Sequence, residues 1–276
     1  MPKFDLSAQF PILKKKKTVL LHPREGFVDP RHSKIGGCIA WPSSEEWPFC
    51  SEHKLPFVAV IQLLKNDVPE LGFPEGKDLF QLLWCPDDCH DEPQGPLAQL
   101  FWRKSSDVGA LLKCPPVPKK DVMLVIPREC EPHFERIEEL PSAFEIDGET
   151  DTKVGQWLME NAAEEMHQLG LGPDGGDAYQ YSFSVAPSTK VGGWVSWIQD
   201  PRIPACKCGR KMEHLLTISS SEYGGAGGER WCPIDETQEE REKGGHRLTI
   251  GDAGSYYVFV CRHCKGLPFK AFAQFS

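Results

Sequence analysis

The sequence predicts a mainly β protein made of two pseudo-repeated β-roll halves, an internal duplication, joined by a connecting helix. Three observations lead there. The chain is punctuated by 24 Pro and 25 Gly, and the apolar segments between them are short and rich in Val, Ile, Phe, Tyr and Leu, the signature of strands. The stretch "KIGGCIAWPSSEEWPFCSEH" from Lys34 is echoed by "KVGGWVSWIQDPRIPACKCG" from Lys190. Between the two copies lies one segment with sustained helical spacing.

Taken in order, "FVAVIQLL" from Phe57, "LFQLLW" from Leu79, "LAQLFW" from Leu97, "VMLVI" from Val122, "HLLTIS" from His214 and "SYYVFV" from Ser255 read as strands. The basic run Lys14 to Lys17 sits between "FPIL" and "VLL" and reads as the solvated edge of an early strand, although its composition would also suit a nuclear signal. After Asp151 and Thr152 as N-cap candidates, Val154, Trp157, Leu158, Ala162, Met166 and Leu169 follow helical spacing until Gly170 offers a stop. That places a helix near 153–169, expected to pack on both halves. The resulting division is a first β-rich repeat over 1–134, a connector over 135–187, and a second repeat over 188–276 carrying a four-cysteine cluster.

The two copies align at one constant offset: Gly36 and Gly37 on Gly192 and Gly193, Trp41 on Trp197, Cys50 on Cys206. An insertion in the second copy then shifts "FQLLWCPDDC" onto "YYVFVCRHC", Cys85 onto Cys261, and "GPLAQLFW" onto "GLPFKAFAQF". Paired glycines permit positive φ and mark a turn. No nucleotide-binding fingerprint follows them, so a phosphate cradle is not the reading. Trp41, Trp47 and Trp197 are expected core anchors, because an indole is mostly apolar area.

Hydrophobic residues make up 40% of the chain, ample for a folded core. A net charge of −9 would repel a phosphate backbone unless the basic residues were gathered on one face, so nucleic acid is not expected as a partner. The start carries no signal-peptide pattern and no apolar run approaches a membrane span. A cytoplasmic protein, with a nuclear fraction as the alternative, is therefore expected, and in a reducing compartment 11 cysteines point to metal before disulfides.

In the second copy "CKCG" gives Cys206 and Cys208, and "CRHC" gives Cys261 and Cys264. Four thiolates on two loops joined by strand pairing would satisfy a tetrahedral Zn²⁺ and leave no open position, which makes the site structural. His263 is an alternative ligand, and buried free cysteines are the plain alternative. In the first copy "CSEH" and "CPDDCH" supply Cys50, His53, Cys85, Cys89 and His90. Cys50, His53, Cys85 and Cys89 would make a Cys₃His site at the corresponding place. The neighbouring Asp87, Asp88, Asp91 and Glu92 read as solvated loop charges, or alternatively as part of a catalytic water site. Cys38, Cys114, Cys130 and Cys232 fall outside both clusters and read as core or loop thiols; a nucleophilic Cys130 would need contact with a base such as His133.

At these residues the sequence resembles the YwqG-like proteins of unknown function. The resemblance is carried by "SKIGG", "EWPFC", "LPFVAVIQL", "DVPELGFPEGKDLFQLLWCP" and "SVAPSTKVGGWVSW" with "CKCG", and Cys89 stands where a histidine is expected. It implies rolled β sheets in a duplicated arrangement and no established activity. "KVGGWVSWIQDPRIPACKCGRKMEHLL" with "YYVFVCRHC" is also similar to programmed cell death protein 2 and its relatives, zinc-containing β proteins that chaperone a small-subunit ribosomal protein.

The expected function is that of a non-enzymatic, zinc-stabilised protein-binding module, an adaptor or dedicated chaperone with one or two structural Zn²⁺. A protein client of basic character would suit the acidic balance and be captured between the halves or along a sheet edge. The alternative is a metal-assisted hydrolase using the 85–92 loop. No GxSxG, HExxH, P-loop or kinase signature is present.

Overall fold

The computed structural model describes residues 4–87, 95–113, 115–118, 125–171, 178–223, 228–233, 235–237 and 245–275. Its strands fall into two runs of six. The first run is β1 (Lys16–Leu20), β2 (Pro23–Glu25), β3 (Lys34–Ile35), β4 (Val58–Leu64), β5 (Leu79–Trp84) and β6 (Ala98–Arg103). The second is β7 (Cys130–Pro132), β8 (Glu135–Glu139), β9 (Lys190–Gly192), β10 (Glu213–Ser219), β11 (Ser255–Val260) and β12 (Phe269–Gln274). They build two antiparallel sheets, ordered β2-β7-β3-β4-β5-β6 and β8-β1-β9-β10-β11-β12. The protein is mainly β and duplicated, as the repeat implies.

The two orders are the same pattern. In each, four consecutive strands of one run are followed by the first strand of the other run and then by the second strand of their own. The bridging strands form a single ribbon in which β1 pairs with β8 and β2 with β7 in one unbroken register, from Lys16↔Glu139 through Leu20↔Glu135 and Pro23↔Pro132 to Glu25↔Cys130. His22 lies where the ribbon passes from one sheet to the other; its φ is +36° and its carbonyl accepts from the His133 amide at 3.2 Å. The Lys14–Lys17 run is solvated, as expected, since all four lysines are exposed, but its strand is not an edge. β1 is flanked by β8 and β9, Lys16 stands 3.4 Å over the Trp194 ring, and Lys15 pairs with Asp5 at 2.6 Å.

The inner faces of both sheets meet in one core that draws Val58, Val60, Phe80, Leu82 and Trp84 from the first sheet and Leu216, Ile218, Tyr256, Val258 and Val260 from the second. The outer faces carry matching smaller clusters: Trp41, Trp47, Phe57 and Leu83 on one, and Trp197, Tyr257, Phe259 and Phe272 on the other. With both faces covered, "VAVIQLL" and "SYYVFV" need no polar alternation. β-Bulges fall at equivalent positions, between Ala59 and Ile61 in β4 and between His214 and Leu216 in β10. Each turns two neighbouring residues, Val60 with Ile61 and Leu215 with Leu216, toward the shared core. That core fills the space between the inner faces of the two sheets.

The paired glycines turn as expected, with φ of +64°, +66°, +69° and +71° at Gly36, Gly37, Gly192 and Gly193. Their role also includes space. A Cβ on Gly193 would lie 2.1 Å from Oε1 of Glu139, which receives the buried Lys190 ammonium at 2.9 and 3.0 Å. At Gly37 it would strike Glu129, the carboxylate that pairs with buried Lys34. Both carboxylates flank the β7–β8 arm, which thus ties itself to each sheet.

The helical segment starts earlier than its spacing suggests and is broken once. α1 is Leu6–Gln9, α2 is Gly148–Asn161 and α3 is Ala163–Gln168. The Asp147 carboxylate accepts from the Thr150 amide at 2.8 Å, so Asp147, not Asp151 or Thr152, is the N-cap. Val154, Leu158, Ala162 and Met166 bury against Leu6, Leu13, Leu140, Tyr179 and Phe183. This forms a satellite core with the N-terminal segment and the connector, and among the described residues it draws no member from the second repeat. The Val122–Ile126 strand expectation falls largely outside the described residues, and Val125 is a core residue whose carbonyl accepts from the Trp84 indole at 2.7 Å. Among the described residues no helix is long and apolar enough to cross a membrane.

Candidate metal centres

Strict alternation along β5 and β11 sends Phe80, Leu82 and Trp84 inward, and Tyr256, Val258 and Val260 likewise. The next residue after each strand, Cys85 and Cys261, therefore falls on the outer face, in the same cluster as Trp41 or Trp197. A loop before the neighbouring strand supplies the partners. In the second sheet the Ala205↔Lys211 bridge closes the turn holding Cys206 and Cys208, and the Cys206 amide donates to Arg210 at 2.8 Å. In the first, Phe49↔Pro56 closes the turn holding Cys50 and His53.

The ligand atoms of Cys206, Cys208, Cys261 and Cys264 all lie within 4.8 Å of one another. Cys206 and Cys264 are 3.8 Å apart at sulfur, and Cys208 and Cys261 are 3.7 Å apart. A disulfide would need about 2.05 Å. A tetrahedron of thiolates at about 2.3 Å from a central ion has edges of about 3.8 Å, so these separations fit a shared cation. Burial pushes the Cys261 thiol up, but amides of His263 and Cys264 and the thiols of Cys206 and Cys208 outweigh it and bring it down to about 7. Cys208, Cys261 and Cys206 push the Cys264 thiol up to about 12, so one sulfur of the four is primed to ligate as thiolate and another gives up its proton to a bound cation. His263 is exposed and stands outside the ligand group.

Cys50, His53 and Cys85 form the second group, also within 4.8 Å. Nδ1 of His53 is 3.3 Å from Cys85 and 3.7 Å from Cys50 at sulfur. Burial holds the Cys85 thiol up at about 12, the Asp87 amide opposing it, so this sulfur needs a bound cation to give up its proton at neutral pH. Cys89, His90 and residues 88–92 as a whole lie outside the described residues. Geometrically, both clusters can bind a metal ion.

The remaining thiols do other work. Cys130 is wholly buried in the shared core, and its thiol is pushed up to about 12 by burial; it is a packing residue and a poor nucleophile. Cys38 is exposed, Cys232 is half-buried, and Cys114 lies outside the described residues. The residues that sequence reasoning missed are Glu129 and Glu139. Nothing local to either announces a partner, and the only hint was the lysine preceding each Gly-Gly pair.

Two sheets sharing one core, each with a cysteine-bearing knuckle on its outer face, define a duplicated β protein able to hold metal. The chain belongs to a family described as a domain of unknown function, DUF1963, whose profile matches residues 33–263. No curated protein matches it.

Proposed function

We propose that the protein is a zinc-stabilised, non-enzymatic binding module that holds a basic protein segment along a sheet edge, as an adaptor or dedicated chaperone. The observation that carries this reading is the closure of the second cluster. Four sulfurs at tetrahedral spacing fill the coordination shell of Zn²⁺ and leave no place for a water to be activated. Zinc is the natural occupant of a four-thiolate site, and in such a site it contributes on the order of 10 kcal/mol of folding energy. Cys50, His53 and Cys85, with Cys89 as fourth ligand, would hold a second ion. The edge strands β2, β6, β8 and β12 offer backbone groups for an added strand, and the net charge of −9 favours a basic client. The resemblance of the second copy to programmed cell death protein 2 and its relatives would add support by analogy alone.

Two experiments test it. Elemental mass spectrometry of protein purified without added metal or chelator should give near two zinc per chain, with Cys50→Ser and Cys261→Ser each losing one. Absence of metal would return the cysteines to core packing, and a single zinc lost only in Cys261→Ser would free the first cluster for another task. Affinity capture from a lysate should enrich one basic protein in stoichiometric amount; recovery of none above background would refute the adaptor role.

A further inference from the structure

The two knuckles have the same framework and opposite charge. Within three positions of Cys50, His53 and Cys85, the first carries Glu52, Asp87 and Asp88 against Lys54 alone. Within three positions of a ligand sulfur, the second carries Lys207, Arg210, Lys211, Arg262 and Lys265, and no Asp or Glu. Convergence of the four sulfurs draws those two loops together. Lys207, Arg210, Lys211, Lys265 and, on the adjoining strand β12, Lys270 are all exposed, and none has an ion-pair partner among the described residues. Glu213, the nearest carboxylate on β10, is engaged by Arg262 at 3.4 Å, and Arg262 is held further by the Leu71 carbonyl at 2.7 Å. These cations are therefore not balanced by their own surroundings, in a chain that is acidic overall.

We infer that the outer face of the second knuckle is a docking surface for an acidic peptide segment carrying an apolar residue. Charge complementarity sets the sign of the partner. The apolar component follows from Ile203, which lies three residues before Cys206 and is 40% exposed beside the cations. A single-stranded nucleic acid would need stacking platforms, and the large exposed hydrophobic residues of the described chain include no Phe, Tyr or Trp from the two loops of this knuckle or β12, leaving the exposed His263 ring alone there. A duplex would need only cations, but the net charge of the rest of the molecule opposes a long polyanion more than a short peptide. This surface takes the opposite charge to the proposed basic client, whose docking then falls to the edges β2, β6 and β8, and the protein would carry two unlike segments at once.

The test is fluorescence anisotropy on the metal-loaded full chain with a labelled peptide of alternating glutamate and leucine. The controls are the lysine-for-glutamate peptide and single-stranded RNA and duplex DNA of matching charge. The glutamate peptide should bind saturably, with affinity falling as salt rises. The triple reversal Lys207→Glu, Lys211→Glu, Lys265→Glu should weaken binding by about tenfold or more, and Ile203→Ser by about fivefold with the same salt dependence. Metal content and melting temperature verify that each variant is folded. If the reversal loses its metal, the three Gln substitutions replace it, with a smaller loss expected. No saturable binding, unchanged affinity in the triple variant, or tighter binding of RNA or duplex than of the peptide would overturn the inference. Capture of a basic client is read with different probes, so either proposal can fail without the other.

Discussion

Lys190 and Glu139 are both without solvent contact, and most of the local architecture answers to that fact. Burial pushes the Glu139 carboxyl up and the Lys190 ammonium down; their mutual attraction works against both shifts, and the Ala186 and Trp194 amides that reach Glu139 oppose its own. Removing one partner leaves the other uncompensated. Lys190→Met should cost about 3–5 kcal/mol in urea denaturation, and adding Glu139→Gln should recover more than half. His214 carries a different liability. Burial, with Lys190 and Lys16 nearby, lowers its imidazole to about 3 from an ordinary 6.5. Above pH 6.5 both folded and unfolded chains hold it neutral. Between about 6.5 and about 3 only the unfolded chain takes up the proton, so stability falls with pH there by up to about 1.4 kcal/mol per unit and is flat below. Comparing wild type with His214→Gln in denaturant midpoints across that window should show the slope reduced in the variant.

Elements were legible where one segment fixes its own chemistry. The Gly-Gly turns, the tryptophan anchors and the cysteine pairs ending β5 and β11 all announce themselves locally, by φ, apolar area and ligand spacing. The start of α2 was not read correctly, because Asp151 and Thr152 are as good N-caps as Asp147 in isolation and only the fold decides among them. Asp147→Ala should lower stability by about 1 kcal/mol, measured by chemical denaturation; Asp151→Ala should not share this capping loss. The Lys14–Lys17 run was misjudged for a related reason. Its lysines are exposed as they signal, but the hydrogen-bonding edge they imply is taken by β8, more than a hundred residues later, through pairings such as Lys16↔Glu139, and Lys16 stands over the Trp194 ring.

At the scale of the whole molecule, the shared core makes the two sheets thermodynamically one object. Val58, Val60 and Trp84 pack in the same cluster as Leu216, Tyr256 and Val260, so neither sheet keeps its inner face dry without the other. Calorimetry of the metal-loaded protein should show one transition with equal calorimetric and van't Hoff enthalpies; two resolved peaks would mean that the halves unfold independently. The duplication was readable because it is written twice along the chain. The crossing of β1 and β7 into each other's sheets was not, since pairing across such distances leaves no periodicity in either segment.

That crossing has a historical consequence. Were the chain divided between β6 and β7, each piece would keep five strands of a six-stranded pattern and present its leading strand to the other. This is the arrangement of a strand-swapped homodimer. The gene that was doubled thus encodes a unit whose leading strand fits the same gap in its twin, so that fusion makes internal an exchange the separate copies could make only by pairing.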